Sequence, residues 1–181
     1  WSQTSSRITV LRPDGTLLRE WGKRGYGWGE LDFVRGLAID SEDNVYIADS
    51  MLRVQKFTSE GDFLLGWGRE GSGPGEFRTP AYIAIDSQDN VFVADYRDLR
   101  IQKFTKTGQF LTSFGGPGTE NGQFSYVAGL GVDQAGNVYV SDGKPAKRIQ
   151  VFTNGGEYVR SWNVSFPSDT LTAGLVVDSQ N

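Results

Sequence analysis

The sequence repeats itself about every 46 residues, and this period limits the possible folds more than any other feature. The run Gly36-Leu-Ala-Ile-Asp40-Ser-Glu-Asp-Asn44-Val-Tyr-Ile-Ala-Asp49 returns as Tyr82-Ile-Ala-Ile-Asp86-Ser-Gln-Asp-Asn90-Val-Phe-Val-Ala-Asp95. It returns again from Gly129 to Asp142, and begins a fourth time at Gly174-Leu-Val-Val-Asp178. A second block follows the first three: Arg53-Val-Gln-Lys-Phe57, Arg100-Ile-Gln-Lys-Phe104 and Arg148-Ile-Gln-Val-Phe152, with Arg7-Ile-Thr-Val-Leu11 as an earlier relative. Each second block leads into a turn glycine (Gly15, Gly61, Gly108, Gly156) and a short segment ending on Trp21, Trp67, Phe114 or Trp162.

The blocks read as strands. Val45-Tyr-Ile-Ala and Val91-Phe-Val-Ala are rich in β-branched and aromatic residues. Asp-Ser-Gln-Asp-Asn between two such runs is hairpin-turn chemistry, because Asp and Asn satisfy backbone groups and tolerate left-handed dihedrals. Four strands per unit are expected; in the second unit they fall near 80–86, 90–95, 100–105 and 109–114. Repeated four-stranded units with almost no helix make the expected fold all-β, a β-propeller of antiparallel blades. The boundaries would be a partial blade at 1–21, blades at 22–68, 69–115 and 116–162, and a partial blade at 163–181. Two arrangements are open: a segment of a larger ring, which is favoured, or a small ring closed by joining its termini.

The repeat unit resembles the NHL repeat. The resemblance lies in the Asp-x-x-x-Asn-Val-Tyr/Phe-Val-Ala-Asp run, the Arg-Ile-Gln-Lys-Phe strand, the Trp/Phe-Gly ending and the loop Gly71-Ser-Gly-Pro-Gly-Glu-Phe77. It implies a β-propeller, commonly six-bladed, and a choice among protein-binding, RNA-binding and sensor roles.

Composition narrows that choice. An apolar fraction of 38% with 13% aromatics suits a globular chain. There is no histidine and no cysteine. This removes thiolate chemistry, Ser–His–Asp and Cys–His sets, and the histidine-bound zinc of the amidating lyase that NHL propellers resemble. A lactonase-like site would need a distinct cluster of carboxylates and amides, and none stands apart from the repeat. No metal site and no cofactor are expected. Eighteen basic against 22 acidic residues give a net charge of −4, a poor footprint for nucleic acid. The remaining RNA-binding alternative would rest on Lys23, Arg24, Arg35, Arg97, Lys144 and Lys147. No run of apolar residues is long enough to span a membrane. Asn163-Val-Ser165 matches a glycosylation acceptor and tilts the expectation slightly toward an extracellular setting.

The repeated aspartates read as structural. Asp40, Asp86, Asp133 and Asp178 would cap hairpin turns, and Asp49, Asp95 and Asp142 would each pair with the arginine of their own unit (Arg53, Arg100, Arg148). The aromatics that end each unit would pack between blades. Function is then expected where the repeat breaks. In an up-and-down blade, the loop between the second and third strands and the loop between blades emerge on one face, and binding groups are commonly carried on such loops. That face holds Tyr26, Trp28, Arg35, Tyr82, Tyr96, Arg97, Tyr126 and Lys144. The expected role is a non-catalytic binding or scaffold module taking a protein or small ligand there, with self-association through open blade edges as a further expectation.

Overall fold

The computed structural model describes residues 6–164 and Leu175. Asp178 and the expected partial blade beyond Val164 therefore lie outside the described residues, apart from Leu175. Two strands, β1 (Ile8–Leu11) and β2 (Leu17–Trp21), form the first sheet. The next sheet holds β3 (Gly36–Ile39), β4 (Val45–Asp49), β5 (Arg53–Phe57) and β6 (Phe63–Trp67). It is followed by β7 (Pro80–Ile85), β8 (Val91–Asp95), β9 (Arg100–Phe104) and β10 (Phe110–Gly115). The last holds β11 (Val127–Val132), β12 (Val138–Asp142), β13 (Arg148–Phe152) and β14 (Tyr158–Asn163). Every pairing is antiparallel and sequential, and the described residues contain no helix.

Burial follows the sequence pattern. In β4 and β8 all five residues are buried, as expected of a central strand covered on both faces by neighbouring sheets. The outer strands β6 and β10 keep exposed positions. The first strands β3, β7 and β11 lie side by side, so the sheets stack face to face around them. The core is divided accordingly into three clusters, one at each junction between neighbouring sheets. Phe77, Phe104, Tyr46 and Val93 fill one, and Phe92, Ile101, Phe124 and Phe152 another. Each such side chain contributes roughly 1.5–3 kcal/mol through burial.

The aromatic that ends each of the first three sheets is the wedge of the next junction. Trp21 lies against Phe57 at 5.3 Å, Trp67 against Phe104 at 5.6 Å, and Phe114 against Phe152 at 5.0 Å. Turn-to-turn hydrogen bonds add to this. The Ser41 backbone N–H donates to Asp89 at 3.0 Å, and the Asn154 amide donates to Asp86 at 3.0 Å.

The first-turn aspartates cap their hairpins as expected. Asp40 accepts the backbone N–H groups of Glu42 and Asn44 at 3.0 and 2.8 Å, and it pairs with the buried Lys56 at 2.9 Å. Asp86 lies 3.6 Å from Lys103, while the third unit has Val151 at that strand position and Asp133 accepts from Tyr139 instead. Burial alone would raise the Asp40 carboxyl, but the bonds from Lys56, Asn44 and Glu42 outweigh it and hold the pKa down at about 2. A depressed folded-state pKa gives stability that is fully present above the unfolded value and is lost as pH falls toward the folded one. Asp40 should therefore contribute about 1–2 kcal/mol at neutral pH, allowing for solvent screening at the turn, and lose it between about pH 4 and pH 2. Asp40→Asn is expected to flatten that part of the acid-unfolding curve; an unchanged acid limb would refute the assignment.

Candidate functional site

The loops of one face are held by polar side chains of the third strands. In β5, β9 and β13 the arginine and the glutamine two residues later share one side of the sheet. Gln102 is fully buried; its amide N–H donates to the Glu76 carbonyl at 2.8 Å and its oxygen accepts the Gly75 N–H at 2.9 Å. Gln55 makes the same pair of bonds to Glu30 and Gly29, and Gln150 to Gln123 and Gly122. The arginines reach the same loops. Arg53 donates to the carbonyls of Tyr26 and Glu30 at 3.0 and 2.9 Å, Arg100 to those of Gly73 and Glu76, and Arg148 to those of Glu120 and Gln123. Leu31, Phe77 and Phe124, each fully buried, plug the ends of these loops into the core. Sequence reasoning assigned the glutamines no role. Their signal was visible, since the same glutamine recurs between the arginine and the phenylalanine of one strand face in all three units.

The expected Asp–Arg pair forms in two sheets and is replaced in the third. Asp49 meets Arg53 at 3.1 Å and Asp142 meets Arg148 at 3.0 Å. In the middle sheet Arg100 pairs with Asp98 at 3.4 Å, while Asp95 accepts the backbone N–H groups of Arg78, Thr79 and Arg97. The loop Tyr96-Arg-Asp-Leu99 brings in a second carboxylate that takes the guanidinium, while Asp95 keeps the backbone N–H groups of the incoming strand, as Asp142 does with those of Ser125 and Tyr126. Asp98 and Arg100 also line a cleft of about 310 Å³ with Ser72, Ser113 and Pro117, a feature not foreseen from the sequence.

Of the eight expected face residues, three tyrosines are seen to meet, and the others are placed as follows. Trp28 packs over the outer part of the β3–β6 sheet: its ring lies 6.1 Å from Phe63, the Arg53 guanidinium stacks on it at 5.1 Å, and Gly66 leaves room for it. Tyr26 is exposed beside it in the same loop. Arg35 stacks on Phe33 at 5.4 Å, and strand alternation places it on the side of β3 with Leu37 and Ile39, away from β7. Lys144 is half-buried in the β12–β13 loop. Tyr82, Tyr96 and Tyr126 do come together, at the junction of the second and third complete sheets. The rings of Tyr96 and Tyr126 meet edge-on at 88° with centroids 5.1 Å apart. A hydrogen bond with Tyr96, then burial, raises the Tyr126 phenol pKa, and burial raises that of Tyr82. These two phenols stay protonated at neutral pH and can donate.

Several cations of this face lie beside carboxylates. Lys23 pairs with Glu30 at 2.6 Å, Arg24 with Asp32 at 3.8 Å, Arg69 with Glu76 at 2.8 Å and Arg78 with Asp98 at 3.8 Å. Arg97 is exposed, and its guanidinium has no partner among the described residues.

Residues 77–104 match the NHL repeat. A search of the curated proteins finds no match. Among solved structures, U3-55K superposes with a TM-score of 0.66 at 18% identity, over 86% of this chain and 45% of its own. The WD40 repeats of RRP9 give 0.66 at 17%, over 86% and 44%. Virginiamycin B lyase from Staphylococcus aureus gives 0.62 at 15%, over 89% and 50%. At these identities the likeness is one of fold, and the chain spans half or less of each of these proteins. The match covers β7, β8 and β9, and the same strand order recurs in the β3–β6 and β11–β14 sheets. The chain therefore carries the NHL repeat and has the fold of β-propeller blades, four antiparallel strands to each complete blade.

Proposed function

We propose that this chain is a non-catalytic binding module that takes a protein or small ligand on the face formed by the inter-blade loops and the loops between second and third strands. One observation carries the reading: the loops that depart most from the repeat are anchored by its most regular polar contacts, the arginines and the glutamines of β5, β9 and β13. A rigid base under variable, Tyr- and Arg-bearing loops is the design of a recognition surface. The ion pairs of Lys23, Arg24 and Arg69 weigh against the RNA-binding alternative, because a phosphate backbone needs several free cations in a row. The lyase among the structural neighbours bears on fold alone, and this chain has no histidine.

The test is a pull-down from extract of the source cells with parent protein, Trp28→Ala, Tyr96→Ala and, as a control on the opposite face, Asp62→Ala. Truncating an aromatic anchor of an interface costs about 2 kcal/mol or more, so at least one aromatic variant should lose about 30-fold in retention while Asp62→Ala binds like the parent. Equal retention by all four proteins would refute the assignment of the face.

A further inference from the structure

The tyrosine cluster is a local departure from the repeat. Pairing equates Gly36, Tyr82 and Gly129, which stand opposite Ala48, Ala94 and Ser141. Counting on from the repeated aspartate equates Ser50, Tyr96 and Gly143, and counting on from the buried loop plug equates Thr79 with Tyr126. At the preceding junction the three corresponding positions are thus Gly36, Ser50 and Thr79. At this junction all three are tyrosine. The scaffold does not require rings there, since the sister junction closes without them.

Two of the three rings are packed closely against the fold. A Cβ on Gly143 would fall 2.8 Å from the Tyr126 ring, so the ring rests directly on backbone. Tyr82 packs on the core cluster that holds Phe92 and Phe124. The perpendicular pair of Tyr96 and Tyr126 forms a corner of one aromatic face and one aromatic edge, which suits an apolar side chain. Beside it in the chain stands Arg97, exposed and unpartnered among the described residues. The nearest carboxylate in the chain, Asp98, is engaged by Arg100 and Arg78 and does not neutralise it.

We infer that Tyr82, Tyr96 and Tyr126 with Arg97 form a subsite for an acidic peptide, in which a carboxylate meets the Arg97 guanidinium while a neighbouring apolar side chain enters the tyrosine corner. This rests on the loop-face reading above and makes it specific. A cationic ligand is disfavoured by Arg97. A polyanion such as single-stranded RNA is disfavoured because Lys23, Arg24 and Arg69 of this face are each held by a carboxylate.

The probe is an array of short immobilised peptides, each with one glutamate beside an apolar residue, and with glutamine and lysine versions of every sequence. The parent should bind the glutamate versions about tenfold tighter than the glutamine versions, the size of one charge-assisted hydrogen-bonded contact. Arg97→Gln, an exposed change that leaves the core untouched, should abolish that preference. The double variant Tyr96→Ser, Tyr126→Thr installs the residues of the sister junction and should weaken every peptide, with thermal unfolding confirming that it folds. The inference is overturned if the parent binds no peptide, if glutamine or lysine versions bind as well, if Arg97→Gln keeps the preference, or if single-stranded RNA binds in place of peptide. Binding that survives the tyrosine double variant but is lost in Trp28→Ala would overturn this subsite while leaving the loop-face function standing.

Discussion

Arg53→Ala is expected to destabilise the fold by about 3–5 kcal/mol, because it strands a charge in the protein interior. Asp49 is fully buried, and Arg53 is its ionic partner at 3.1 Å. The same guanidinium holds the carbonyls of Tyr26 and Glu30 and lies under Trp28. Its loss therefore removes the floor of the first inter-blade loop as well as an ion pair. The pH dependence has a definite sign. Burial already lifts the Asp49 carboxyl above its ordinary pKa against the pull of Arg53. Without Arg53 it rises further, so the folded state holds a proton that the unfolded chain releases. Such a group costs stability as pH rises above the unfolded value near 4, and the cost is relieved in acid. Urea unfolding of the variant should show its largest deficit near about pH 7 and a smaller one near about pH 4.5. The double variant Arg53→Ala, Asp49→Asn should recover part of the loss, which separates the stranded charge from the missing loop contacts. A deficit below about 1 kcal/mol at neutral pH would mean that water reaches Asp49 and that the clamp is not dry.

Gly108→Ala should cost about 2–4 kcal/mol, and Gly15→Ala only about 1–2, although the two glycines occupy the same turn of the repeat. Their dihedrals are nearly equal, φ +84° and +82°, so the left-handed penalty is shared. They differ in surroundings. A Cβ at position 108 would sit 2.6 Å from the Trp67 ring of the preceding blade, whereas nothing lies within 4 Å of one at position 15. The difference in unfolding free energy between the two variants therefore reads the closeness of blade-to-blade packing. If the two cost the same, Trp67 yields freely and the junction is looser than its geometry implies.

These cases show what could be read in advance. The repeat gave away strand number, order and approximate bounds because each is written locally. β-Branched runs, Asp/Asn turns and a polar-to-apolar rhythm recur at fixed spacing, and local propensity agrees with the fold at every copy. The capping aspartates and the aromatic wedges were legible for the same reason, since their recurrence excluded a single special role. The buried glutamines recur equally, yet their function depends on carbonyls about 26 residues earlier in the chain, and no local rule links the two. The exchange in the middle blade, where Arg100 leaves Asp95 for Asp98, was equally hidden. The middle loop alone carries a carboxylate of its own, Asp98, and only its folded path brings that group to the guanidinium.

The candidate face shows the same division. That the loops emerge together follows from strand parity alone, and the sequence suffices for it. That Tyr82, Tyr96 and Tyr126 meet while Trp28 packs on Phe63 and Arg35 on Phe33 depends on which blades adjoin and which way each side chain leans across a junction. The repeat of about 46 residues determined by itself that the chain builds four-stranded blades, because hydrogen-bonding pattern and burial alternation are encoded within each unit. Only the tertiary structure decided which departures from the repeat become neighbours, because those contacts join different units and depend on distances that no single unit contains.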